Sequence, residues 1–91
     1  MVTYQNVNRP GLHPKGIRAA FCWSRNETKK RLAGIASEGS IERYLAHSSS
    51  KRYFNPSKWV LREVYNLYQQ LLAAGEKPLN EEAISKWIVS T

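Results

Sequence analysis

Residues 55–75 read NPSKWVLREVYNLYQQLLAAG, and the fold turns on them. Val60, Leu61, Val64, Leu67, Tyr68, Leu71 and Leu72 recur at the three- and four-residue steps that keep one face of a helix apolar. Asn55 can cap the first turn, and Pro56 suits the first helical position, where its missing N–H costs nothing. Gly75 supplies a C-terminal stop. The stretch predicts a long helix over about 56–74, the central strut of the molecule. Trp59 and Tyr65 fall outside the stripe. With Tyr53 and Phe54 just upstream, they predict a second apolar surface for a partner or a second copy of the chain.

The flanks read as shorter helices. Downstream, Glu76-Lys77-Pro78 forms a turn and Asn80 caps a last helix. Glu81 and Glu82 lie in its first turn, with Ile84, Trp87 and Ile88 inward. Upstream, Ser48-Ser49-Ser50 ends a helix over about 41–47, for which Ser40 is the expected cap. Before it, Ser37-Glu38-Gly39-Ser40 breaks the apolar phase of a helix opened by Asn26 and Glu27, which turns Leu32, Ala33, Ile35 and Ala36 inward. A first helix over about 15–24 carries Ile17, Ala20 and Phe21 on one side. Residues 1–14, with Asn6, Asn8, Pro10, Gly11 and Pro14, read as an extended arm, with an edge strand at Val2, Tyr4 and Val7 as the alternative. The predicted fold is all-α. It has four or five short helices, with a helix-turn-helix-like pair at about 27–47 packed on the long fourth helix, so that 15–91 is a single helical domain. No internal repeat is present.

Composition narrows the function. Ninety-one residues with 42% apolar content and three tryptophans support one core and leave little room for a deep cleft. No apolar run approaches the roughly 20 residues of a membrane span, and the first residues lack the order of a secretory signal. The single cysteine, Cys22, cannot form an internal disulfide and reads as a small buried hydrophobe beside Phe21 and Trp23. A reducing, cytoplasmic setting is expected. The net charge is +7. Residues 1–62 carry twelve basic and three acidic side chains (+9), residues 63–91 two and four (−2). Such asymmetry predicts a face for a partner of opposite sign.

The cations fall in clusters: Arg25 with Lys29, Lys30 and Arg31, then Arg43, then Lys51 and Arg52. In a helix-turn-helix protein the second helix enters the major groove, phosphate contacts supply affinity, and an arginine reads guanine. On that pattern Lys29, Lys30, Arg31, Lys51 and Arg52 hold phosphates, while Arg43, Ser40 and His47 approach bases. Arg9, Lys15 and Arg18 add contacts from the arm. The turn is about two residues longer than in the usual motif, so two helices packed in a small bundle is the competing explanation. Alternation of Tyr53, Phe54 and Trp59 with Lys51, Arg52 and Lys58 also suits stacking on unpaired bases, or anchoring on an acidic protein.

Catalysis is not expected. His13 and His47 lie far apart, no aspartate is present, and Cys22 has no partner at metal-ligand spacing. No phosphate-loop or dinucleotide pattern occurs, so no cofactor is expected. The leading expectation is a small DNA-binding regulator or accessory factor, with duplex DNA as first-choice ligand and dimerisation as the usual route to a longer site. A protein-binding adaptor or inhibitor and an RNA-binding or ribosome-associated factor are the alternatives.

Overall fold

A computed structural model describes residues 9–91. Its elements are β1 (Pro10–Leu12), α1 (Pro14–Phe21), α2 (Arg25–Arg31), α3 (Glu38–Leu45), α4 (Lys58–Ala73), α5 (Glu81–Trp87) and β2 (Ile88–Ser90). The molecule is therefore mostly helical, but the all-α expectation needs correction. β1 and β2 pair antiparallel, with Pro10 opposite Ser90, Gly11 opposite Val89 and Leu12 opposite Ile88. The ladder extends by one pair, Arg9 N–H to Thr91 O at 3.1 Å and Thr91 N–H to Arg9 O at 2.7 Å. Ile88 thus leaves the inner face expected of it in the last helix and stands 40% exposed in a strand. The alternative strand at Val2, Tyr4 and Val7 lies outside the described residues, as does most of the expected arm.

What remains of that arm is packed. Leu12 is fully buried, and Gly11, His13 and Pro14 are buried with it. β1 lies directly on α4. A Cβ on Gly11 would stand 2.9 Å from the Leu61 Cβ and 2.9 Å from the Thr91 Cγ2. Arg62, on the same helix, fixes the far strand: its Nε donates to Thr91 Oγ1 and an Nη to Thr91 O, each at 2.8 Å. α1 packs on α5 just as tightly, because a Cβ on Gly16 would collide with Trp87 Cβ. The core joins Leu12, Ile17, Ala20, Leu32, Ile41, Leu45, Val60, Val64, Leu71, Ala83 and Ile84. Leu72 and Ala33, expected inside, are exposed.

Three helix starts differ from expectation, and serine is the cap in each. Ser24 caps α2 by accepting from Glu27 N–H at 3.0 Å. Ser37 caps α3 by accepting from Ser40 N–H at 3.2 Å. Ser57, not Asn55, caps α4 by accepting from Val60 N–H at 3.2 Å, so Pro56 stays outside the helix. Before α1, His13 accepts from Lys15 N–H at 3.0 Å and Pro14 fills the first helical position. Asn80 occupies the expected place before α5 but makes no side-chain cap bond. α4 stops as expected at Gly75, which has φ +90°.

Candidate nucleic-acid interface

α2 and α3 are joined by residues 32–37, with Leu32 and Ile41 anchoring the pair in the core. The capping shifts change which residues α3 presents. Ser40 is inside the first turn rather than before it, and its hydroxyl is bonded to Ser37 Oγ at 2.9 Å. His47 falls beyond α3, where its Nδ1 is bonded to Ser49 Oγ at 2.7 Å. The exposed side of α3 therefore carries Glu38, Arg43 and, half-buried, Glu42.

The cations divide into two groups. Lys29 is drawn across to α3, with its Nζ 3.0 Å from Glu42 and 3.5 Å from Glu38. The hydrogen bond from Lys29 holds the Glu42 carboxyl below its ordinary range, and the charges of Lys29, Arg25 and Arg52 act in the same direction. Arg31 pairs with Glu27 at 2.7 Å and with Glu76 at 3.6 Å, and its guanidinium lies 5.1 Å over the Trp23 ring. Lys29 and Arg31, expected to hold phosphates, are thus engaged by the chain's own carboxylates. Arg25, Lys30, Arg43, Lys51 and Arg52 are exposed and make no ion pair among the described residues. Arg43 lies 4.5 Å over the ring of Phe54, whose N–H donates to Arg43 O at 3.4 Å, so the loop after α3 folds back against that helix. That loop carries Lys51 and Arg52 beside it. The start of α2, the exposed side of α3 and the 46–57 loop meet around Glu42, whose carboxylate lies within the field of Lys29, Arg25 and Arg52, with Glu38 on the same helix also drawn to Lys29.

The expected arm contacts are placed elsewhere. Lys15 and Arg18 sit on α1. The Lys15 ammonium lies 4.7 Å over the Tyr53 ring and 5.7 Å over the Trp87 ring, and burial lowers its pKa. Arg18 Nε donates to Trp23 O at 3.2 Å. Arg9 is held through its backbone in the extended ladder.

The four aromatics expected at a partner surface also separate. Tyr53 is half-buried and bonded to His13 Nε2 at 2.8 Å. Tyr65 is half-buried, accepts from Gln69 Nε2 at 2.9 Å and lies against Tyr68. Phe54 and Trp59 are outside, at 52% and 57% exposure.

His13 was not expected to matter, and it is held from several sides at the corner where β1 runs into α1 against Tyr53 and Trp87. Its Nδ1 accepts from Lys15 N–H, which leaves the proton on Nε2 for donation to the Tyr53 hydroxyl. Its ring is stacked with Tyr53 and tilted against Trp87, with centroids 6.1 and 4.9 Å away. Burial, and then the nearby Lys15 charge, push its pKa down to about 4. The sequence signal was His13-Pro14, the same cap-plus-proline pattern that drew attention to Asn55-Pro56.

Among the described residues, no group of three or more histidine, cysteine or acidic side chains is placed to hold a metal, and no helix is long and apolar enough to cross a membrane. Comparison with protein-family models, curated proteins and solved structures gives no match.

Proposed function

We propose that this is a small nucleic-acid-binding protein, a regulator or accessory factor whose first-choice ligand is duplex DNA. The observation that carries the proposal is the group of exposed cations without carboxylate partners, Arg25, Arg43, Lys51 and Arg52, around the start of α2, α3 and the 46–57 loop. Unpaired surface cations bind phosphates by releasing condensed counterions, with little rearrangement of the protein. In this reading α2 and α3 act as a helix-turn-helix pair. Arg25, Lys30, Lys51 and Arg52 contact the backbone, and Arg43 is the one cation of α3 that reaches bases. Lys29 serves indirectly by neutralising Glu38 and Glu42, which would otherwise repel phosphate from the same helix. Eight residues of α3 offer few base contacts, so a two-fold dimer on a repeated half-site belongs to the proposal.

Fluorescence anisotropy of labelled duplex, single-stranded DNA and RNA hairpin, followed from low to physiological salt, tests it. Duplex affinity that persists at physiological salt with a steep salt slope is the expected result. Preference for the hairpin would move the assignment to RNA. A specific observation favours a second reading: Phe54 and Trp59 stand exposed beside the cations, as anchors for an acidic protein surface would. Affinity that vanishes equally for all three nucleic acids at physiological salt would favour that adaptor reading.

A further inference from the structure

Between α1, α3 and α5 lies an open groove of about 440 Å³, within the range of small-ligand sites, lined by Lys15, Arg18, Cys22, Trp23, Leu45 and Trp87. It holds two cations and no carboxylate. Arg18 donates its Nε to Trp23 O, and neither it nor Lys15 makes an ion pair among the described residues. Glu82 lies beyond Trp87, lining the neighbouring depression together with Lys86. The Lys15 ammonium is compensated by the rings of Tyr53 and Trp87 in place of an anion. The groove also adjoins the basic face: Leu45 in its wall belongs to α3, the helix of Arg43, and Tyr53 under Lys15 directly follows Lys51 and Arg52 in the chain.

We propose that this groove receives an unpaired nucleotide at the end of a bound nucleic acid, its phosphate between Lys15 and Arg18 and its base against Trp87. The inference rests on the nucleic-acid reading above and specifies the ligand as a duplex with a single-stranded extension. Two cations without an acid match a phosphate, and the aromatic and aliphatic walls match the flat apolar faces of a base.

The test compares a blunt duplex with the same duplex carrying a short oligothymidine tail, using the wild-type protein. The tail should strengthen binding by about five- to tenfold, as one base stacked on an aromatic side chain does. Cys22, expected from the sequence to be buried, is exposed in the groove wall and reports occupancy. Its alkylation by iodoacetamide should slow severalfold with the tailed duplex and stay unchanged with the blunt one. Ala19→Phe, at an exposed position on the groove rim, should cancel the gain from the tail while blunt-duplex affinity is retained. Equal affinities for the two duplexes, or equal Cys22 reactivity with both, would overturn the groove assignment and leave the basic face standing. Failure of both duplexes to bind would overturn the nucleic-acid reading, and the groove with it.

Discussion

The corner around His13 and the face around Arg52 are neighbours joined by Tyr53, yet their polar groups are used in opposite ways. At the corner every constrained group has a partner in the chain: His13 caps α1 and donates to Tyr53, and Lys15 rests over two rings. Gly11 and Gly16 let backbone and helices approach where a side chain would not fit. On the face, Arg25, Lys51 and Arg52 make no ion pair among the described residues, although carboxylates stand close by. α2 contains both behaviours within a few residues, since Lys29 and Arg31 are paired and Lys30 is not. On the proposed nucleic-acid reading, total charge overstates the binding surface, and the cations that count are those the fold leaves without a carboxylate.

The comparison breaks first at the corner if its packing is not limiting. Gly16→Ala forces a methyl group into Trp87 and should destabilise the protein by about 2–3 kcal/mol in urea unfolding, even though alanine is the better helix former. Acid should act on the same corner. The folded-state pKa of His13, about 4, lies below its ordinary value of 6.5, so the unfolded chain takes up the proton first as pH falls. Stability is fully present above pH 6.5 and declines as pH drops toward 4. After allowance for partial solvent screening the loss is about 2 kcal/mol, and it should be absent in His13→Asn. On the face the expected effects reverse. Arg52→Ala should leave unfolding unchanged within about 0.5 kcal/mol and weaken duplex binding about three- to fivefold at physiological salt. A last variant tests the dividing line between the two groups. Lys29→Met removes the ion pairs to Glu38 and Glu42, and duplex affinity should fall because both carboxylates lose their neutralising partner. Unchanged affinity would show that α3 does not approach phosphate.

Much of the helical layout was legible. The stripe from Val60 to Leu71 and the stop at Gly75 gave α4, and the phase break before Ile41 separated α2 from α3. The starts were misplaced because asparagine and serine both cap well, and their intrinsic preferences do not choose between neighbours. One local cue did: Ser24 with Glu27 three residues on is a capping-box pattern, stronger than Asn26 alone. The strand pair was hidden for a different reason. Pro10–Leu12 and Ile88–Ser90 are each three residues long and far apart in the chain, so no periodicity could mark them. Their pairing depends on Gly11 lying on Leu61 and on Arg62 holding Thr91, contacts that exist only after folding. The candidate site was legible as composition, not as geometry. Nothing local to Lys29 or Arg31 announces that Glu42 and Glu76 will reach them across a turn and from the far end of the long helix. His47 and Ser40 left the positions expected of them on α3 through a shift of a few residues in where that helix begins and ends.

The account's central claim is that the unpartnered cations, and not the basic residues at large, bind nucleic acid. The measurement that tests it most directly is the slope of log K against log salt for duplex DNA. It is to be compared between the wild type, a variant with the four proposed backbone contacts Arg25, Lys30, Lys51 and Arg52 all changed to alanine, and a control with Arg31 changed to alanine. Each lost phosphate contact should flatten the slope by about 0.9, so the fourfold variant should be shallower by about 3–4 and the control nearly unchanged. A fourfold variant with the wild-type slope, or a control as flattened as a true contact residue, would contradict the claim.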